Sequence, residues 1–348
     1  MKSTLTWLVA GIVAVVAALQ ASPARAQKWK DNPQVKALYQ KARAEGEVNL
    51  WGPTRLGMDW IQGEFDKVFP GIKIKETPDL AATTKIIAEA RAGRYSVDAY
   101  SFALGYFVPL VQRDLMAKVD YAGLWGVDPK NTFFDSKAAA THNLIYAFVY
   151  NEKLVKESEL PKTWTDLLQP RWKNRLTASS FLLPNVCAYL AISWGEERAT
   201  KLCRGFVTEV NTLATRAPRE AIISQGERHA SIAEFTANAE VWRQQGMPIK
   251  WTPMNPTMAA QFVIGALKNA PHPNAAQLLS GWLATDEGKL ARERERFDVD
   301  VREGTPSALG KKLRAQLGGE VLIEDTANME RRAVLSTRMS EIISGQRK

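Results

Sequence analysis

At 348 residues the chain is long enough for two domains of ~150 residues each, and its 45% apolar and 24% charged content is that of an ordinary globular protein. Its net charge of +9 comes from lysines and arginines scattered along the sequence, with no basic arm and no aromatic-interleaved basic patch, which argues against a nucleic-acid partner. No G-x-S-x-G elbow, P-loop or G-x-G-x-x-G run occurs, so no hydrolase signature or phosphate-cradling loop is legible.

The N-terminus reads as an export signal. Lys2 is followed by an apolar run over residues 8–19 and then by Ala24-Arg25-Ala26, a small-residue cleavage pattern. The run is shorter than the roughly 20 residues that a membrane span needs. Cleavage after residue 26 removes Lys2 and Arg25 and lowers the net charge from +9 to +7. The first cysteine is Cys187, so lipid attachment at the cleavage site is not expected. The localisation expected is periplasmic and soluble.

Beyond residue 27, residues 31–46 carry Val35, Leu38, Tyr39 and Ala42 at helical spacing. A short strand over 47–51 follows, then a Gly-Pro turn, a helix over 56–69 stopped by Pro70-Gly71, and an alternating strand over 72–76. A helix over 83–92, a strand over 97–102 and a helix beginning at 107 continue the pattern. Residues 144–150 are aromatic and β-branched and read as a buried strand. Thr163, with Asp166 three residues on, reads as a capped helix start. Short strands are expected over 176–180 and 231–235, another beginning near 258, and helices over 274–284 and 288–296. Strands alternating with helices mean βαβ units and a mostly parallel sheet, an α/β fold.

Cys187 and Cys203 fall in two adjacent helical stretches, 184–194 and 196–206. A disulfide and a pair of buried thiols both fit that spacing. His142, His229 and His272 are too scattered for a metal-ligand spacing and read as surface or capping residues. No metal or cofactor is expected, although a site made of carboxylates alone would leave little trace in sequence.

In open α/β sheets ligands bind beyond the carboxyl ends of the strands. That rule selects Thr54 and Arg55 after the first strand, Ser101, Asn151, Ser179 and Ser180, and Glu234 with Thr236; Arg216, in the segment 213–220 between second-lobe elements, joins them as a guanidinium suited to an anion. Hydroxyls, amides and arginines suit a polar or anionic solute. Each residue also has a plain reading as a cap or turn residue, and Glu234 pulls toward a cationic group. Arg219 is a second arginine in the same segment as Arg216, and Tyr100, Phe102, Tyr106, Phe181 and Trp251 are candidates for pocket walls.

Several stretches together resemble the bacterial extracellular solute-binding proteins of ABC importers, in the type II periplasmic branch that includes ferric-iron and thiamine binders. They are Glu45-Gly46-Glu47-Val48-Asn49-Leu50-Trp51, the passage 65–74 around Phe69-Pro70-Gly71, Ala147-Phe148-Val149-Tyr150-Asn151-Glu152-Lys153-Leu154, Pro161-Lys162-Thr163-Trp164, and 268–288. The resemblance implies two lobes, each a mostly parallel sheet flanked by helices, joined by crossing hinge strands. Lobe 1 would comprise 27–145 plus 258–348 and lobe 2 would be 146–257. It implies a monomer that traps a small-molecule solute by hinge closure and presents it to membrane permease subunits, with no catalysis. Many ferric-iron members carry adjacent tyrosines after a second-lobe strand; here the matching stretch 235–242 has none, which argues against an iron carrier. Iron transport, a secreted hydrolase using Ser179 or Ser180, and a sensory ligand-presenting module are the alternatives.

Overall fold

The computed structural model describes residues 28–53 and 59–346. The expected export signal, and Thr54 and Arg55, lie outside the described residues. Eleven strands form one sheet system: β1 (Glu47–Gly52), β2 (Lys73–Pro78), β3 (Ala99–Ala103), β4 (Thr132–Phe133), β5 (Ala138–Asn151), β6 (Leu176–Ser179), β7 (Leu213–Thr215), β8 (Ala230–Phe235), β9 (Ile249–Thr252), β10 (Thr257–Ala266) and β11 (Val321–Ile323). Their order is β2-β1-β3-β10-β5-β8-β6-β7, with β11 on β10 and β4 and β9 on β5.

The two ends of this path are parallel, as helical crossovers require. β1 pairs in parallel with β2 and β3, and β6 with β7 and β8. The middle is antiparallel: β5 runs against β10 through residues 139–145 and against β8 and β9 through residues 146–151. One 14-residue strand therefore belongs to both half-sheets. Sequence reading found only its second part, over 144–150. Residues 138–143, Ala-Ala-Ala-Thr-His-Asn, have low strand propensity; their pairing with β10 makes them extended.

Helices cover both faces. They include α1 (Pro33–Glu45), α2 (Leu183–Trp194), α3 (Glu196–Thr208), α4 (Thr236–Gln244), α5 (Pro273–Ala284), α6 (Asp286–Arg296) and the C-terminal α7 (Met329–Ile343), with further helices between. Two expected helices are shorter and tighter than the pattern suggested. Residues 107–113 hold a 3₁₀ turn, Leu104–Phe107, and one helical turn, Val108–Val111, that ends before Asp114 at φ 54. After Thr163 the chain makes a 3₁₀ helix, Trp164–Leu168, and the Asp166 carboxylate accepts the backbone N–H of Thr163 at 2.9 Å. The first half-sheet packs α1 and α5 around Phe65, Trp125 and Trp282; the second buries Trp164, Trp172 and Phe206. α7 packs against α2 and α3, beside the second half-sheet.

Cys187 on α2 and Cys203 on α3 are joined in a disulfide with their Cα atoms 6.1 Å apart, which resolves the choice that spacing left open. His142 corrects another reading. It is a buried β5 residue, not a surface or capping one, with its Nδ1 2.9 Å from the Thr141 hydroxyl. His272 does lead into α5, and its backbone N–H donates to Asp98 at 2.6 Å. His229 is half-buried and its Nδ1 accepts from Arg175 Nε at 2.8 Å.

Two buried titratable groups contribute to the acid response. Burial, then the charges of Arg292, Arg296 and Arg302, holds the His142 imidazole well below its ordinary value. Burial pushes the Asp300 carboxyl up, but the Arg302 hydrogen bonds and the Lys289 charge outweigh it and bring the group down to about 2.

Removing the cross-link by Cys187→Ala with Cys203→Ala should lower unfolding stability by about 3 kcal/mol, the loop-closure value for a ring of this size. Urea denaturation in non-reducing buffer reads it. For His142 the unfolded chain takes up a proton near pH ~6.5 and the folded chain resists it, so stability is full above that pH and falls as pH drops below it. Urea midpoints at pH 7.5 and 5.5 should differ in that direction, and less so for His142→Gln. Asp300 has the opposite chemistry and a lower window: its contribution is present above pH ~3.8 and is lost as pH falls toward about 2.

Candidate functional site

A cavity of about 580 Å³ lies between the two half-sheets, at the carboxyl ends of their parallel strands. Pro53 after β1, Leu80 after β2, and Phe102 and Ala103 at the end of β3 face it from the first. Ser179 and Phe181 after β6, Arg216 after β7 and Asn238 after β8 face it from the second. The shared β5 contributes His142, Leu144 and Tyr146, and β10 contributes Ala260 and Phe262. This is the placement expected for ligand sites in α/β sheets.

Its charge is lopsided. Four arginines, Arg216, Arg219, Arg296 and Arg332, line the cavity against two carboxylates, Asp298 and Glu324. Arg216 is exposed and makes no side-chain hydrogen bond or ion pair with the described residues. Arg219 is buried, with its Nε 2.7 Å from Glu234 Oε2; Glu234 also accepts from the Asn238 amide and from the Phe235 N–H. Glu234 is fully buried and does not line the cavity, so it acts through Arg219 and Asn238, which do. A buried pair of this kind fixes geometry more than it stabilises.

Arg332, on α7, is the second fixed guanidinium. Its Nε donates to Glu324 at 2.8 Å and its Nη1 to Asn185 Oδ1 on α2 at 2.6 Å, so it joins the segment after β11 to the second half-sheet's helices. Burial works against its charge, but Glu324 beside it holds the Arg332 pKa above the ordinary value. A Cβ at Gly105 would stand 3.0 Å from Arg332 Nη2 and 3.2 Å from Glu324 Oε1, so a larger residue there would press on the pair. Asp298 lies 3.5 Å from Arg292 and 3.9 Å from the neutral His142 ring.

Tyr106, Tyr146 and Tyr189 also line the cavity, and burial raises all three phenols above their ordinary value. They are neutral donors and not phenolates. Tyr189 is 1% exposed and its hydroxyl has no hydrogen-bond partner among the described residues. Among the described residues no group of three or more His, Cys, Asp or Glu is placed to hold a metal ion.

Of the residues expected from sequence, Ser179 and Arg216 line the cavity, as do the aromatic candidates Phe102, Tyr106 and Phe181. Ser179 Oγ also accepts the N–H groups of Phe181 and Leu182 at 3.3 and 3.2 Å, which shapes the loop after β6. Ser180, Ser101, Asn151 and Thr236 do not line it. Asn151 is a buried brace: its amide donates to Ile223 O at 3.0 Å and its Oδ1 accepts from Lys153 N at 2.9 Å. Ser101 and Thr236 are buried, Tyr100 is bonded to Thr83 at 2.6 Å, and Trp251 donates to Glu240 at 2.9 Å. Sequence reading missed Arg296, Asp298, Glu324 and Arg332. They lie in charged C-terminal stretches that look like solvated helix faces, and no local signal marks their approach to a cleft.

The profile of the bacterial extracellular solute-binding proteins matches residues 101–287. A putative 2-aminoethylphosphonate-binding periplasmic protein of Salmonella typhi is 27% identical over 177 residues, which is 46% of this chain and 51% of that protein. The chain thus spans about half the length of the curated relatives it matches. Iron-bound HitA from Pseudomonas aeruginosa superposes with a TM-score of 0.70 at 18% identity, covering 85% of this chain and 99% of that one. The substrate binding protein of an ABC transporter from Agrobacterium tumefaciens gives 0.71 at 14%, covering 85% and 94%. AfuA from Actinobacillus pleuropneumoniae, with fructose-6-phosphate bound, gives 0.66 at 16%, covering 86% and 99%. These likenesses show the fold, that of a two-lobe type II periplasmic binding protein. With more than half of its length matched by the family profile, the chain belongs to the bacterial extracellular solute-binding proteins.

Proposed function

We propose that this chain is the solute-capturing subunit of an ABC importer and that its solute is a small phosphorus or carboxylate oxyanion, held between the lobes without turnover. The observation that carries this reading is the set of four arginines that, among the described residues, face one cavity of about 580 Å³ against two carboxylates. Guanidinium forks pair bidentately with such oxyanions. The fold's relatives support the class: one is named for an aminoethylphosphonate and another was solved with a sugar phosphate bound.

In this reading the chain is exported through cleavage of residues 1–26, acts as a periplasmic monomer, and delivers its solute to membrane permease subunits. Lobe 1 comprises 27–145 plus the segment from 258, and lobe 2 comprises 146–257, with α7 returning to lobe 2. Residues of both lobes face the cavity, so a solute touching Arg216 and Arg219 on one side and Arg296 on the other would favour closure by its differential contacts. A bare ferric ion suits the cavity poorly: its carboxylates face guanidinium groups.

Isothermal titration of the chain from Gln27 onward with inorganic phosphate, alkyl and aryl phosphonates, carboxylates and ferric citrate tests the reading. Binding of an oxyanion with no product formed is expected; binding of ferric iron alone, or consumption of an ester, would replace it. Arg216→Ala should weaken the bound anion by about 2 kcal/mol, the worth of a charge-assisted hydrogen bond. Because Arg216 is exposed, the melting temperature of the unliganded protein should stay unchanged.

A further inference from the structure

The cavity's charge accounts for only part of its lining. Among the described residues five large apolar side chains are exposed, and two of them, Leu80 at 53% and Phe181 at 45%, stand at this cavity. They come from opposite half-sheets, Leu80 from the loop after β2 and Phe181 from the loop after β6. Exposed apolar surface of this kind, concentrated at one cleft, is the mark of a surface that is covered when a ligand arrives.

Behind Leu80 the wall is aromatic. Tyr106 packs on Phe102 with ring centroids 4.2 Å apart, Phe102 lies nearly parallel to Phe262 at 14° and 6.2 Å, and Phe262 meets the His142 ring at 4.7 Å. The His142 ring is neutral, because burial and the neighbouring arginines hold its pKa down, so it adds to this wall as an uncharged ring. Phe181, on the other side, makes no ring contact with any described residue.

The carboxylates at the cavity are shared with guanidinium groups. Glu324 is engaged by Arg332 at 2.8 Å, Asp298 faces Arg292 at 3.5 Å, and Glu234 is taken up by Arg219 at 2.7 Å. An ammonium group placed here would have to share a carboxylate with a guanidinium, at Glu324 through the Oε2 that accepts no hydrogen bond from a described residue. A phosphonate that carries a short amino arm would meet arginines at one end and aromatic rings at the other, where a cation–π contact competes with the cost of desolvating the ammonium.

We infer that the solute has two parts, an oxyanion head read by the arginines and a flat, uncharged ring that slides between the Phe102–Phe262 wall and Phe181. This rests on the oxyanion-binding reading above and narrows it to aryl oxyanions. Ring stacking and apolar burial supply the added affinity, and the tyrosine hydroxyl of Tyr189 is an unused donor for a polar substituent on the ring.

Isothermal titration with phenylphosphonate, methylphosphonate, 2-aminoethylphosphonate and inorganic phosphate tests the inference. Phenylphosphonate should bind on the order of tenfold more tightly than the other three. Phe181→Ala should remove most of that advantage and leave methylphosphonate within about twofold; Arg216→Ala should weaken both alike. Phe181 is exposed, so its truncation leaves the core intact. Equal or tighter binding of methylphosphonate or 2-aminoethylphosphonate overturns the aryl inference and leaves the oxyanion reading standing. Equal losses for both phosphonates in Phe181→Ala likewise overturn it. Failure of all four anions, with benzoate and acetate titrated beside them, overturns both.

Discussion

The cleft depends on one strand being shared. β5 is 14 residues long and nearly all buried, and its backbone is paired with β10 along its first part and with β8 and β9 along its second. Buried peptide groups must be paired, so neither half-sheet can leave this strand without exposing unsatisfied amides. Register irregularities occur on both sides of it, between Phe262 and Val263 on β10 and between Ala147 and Val149 on β5 itself. The parallel strands at the two ends of the sheet thus present their carboxyl ends to one space. His142, Leu144 and Tyr146 line that space because they lie on the segment where the strand passes between partners.

The charges around the cleft are held from behind. Arg219 rests on Glu234, Arg332 on Glu324 and Asn185, and Asp298 faces Arg292. Each contact immobilises a group that would otherwise lose rotamer freedom on binding a ligand, which is the physical content of preorganisation. Arg216 is different: it is exposed and held by no described partner, a guanidinium left available to whatever enters. Guanidinium groups held from behind, beside one that is unheld, suit a site that closes over its ligand.

Reading the sequence worked where local chemistry is strong. The alternation of strands and helices in the first hundred residues is clear because each strand is short and each helix is stopped by Gly or Pro, as at Pro70-Gly71. Phe181 was legible because it lies close to a strand end, where sheet geometry places ligand-facing loops, and Arg216 by its guanidinium chemistry alone. Asn151, Ser101 and Thr236 satisfy the same positional rule and are spent on internal bonds or packing, because a position after a strand does not say which way the side chain turns. Arg296 and Arg332 were not legible at all. They are separated from the strand-end loops by hundreds of residues in some cases, and charged helical stretches look alike whether they face solvent or a cleft.

By itself the sequence determined an α/β chain, a set of hydroxyls and arginines suited to a polar solute, and the segments that carry a family resemblance. These rest on periodicity, turn residues and composition, which act over a few neighbouring positions. The tertiary structure alone decided that Cys187 meets Cys203, that β5 is one strand for two half-sheets, and that four arginines and an aromatic wall share one cavity. Those facts are contacts between distant parts of the chain, set by packing and backbone pairing that no local pattern encodes.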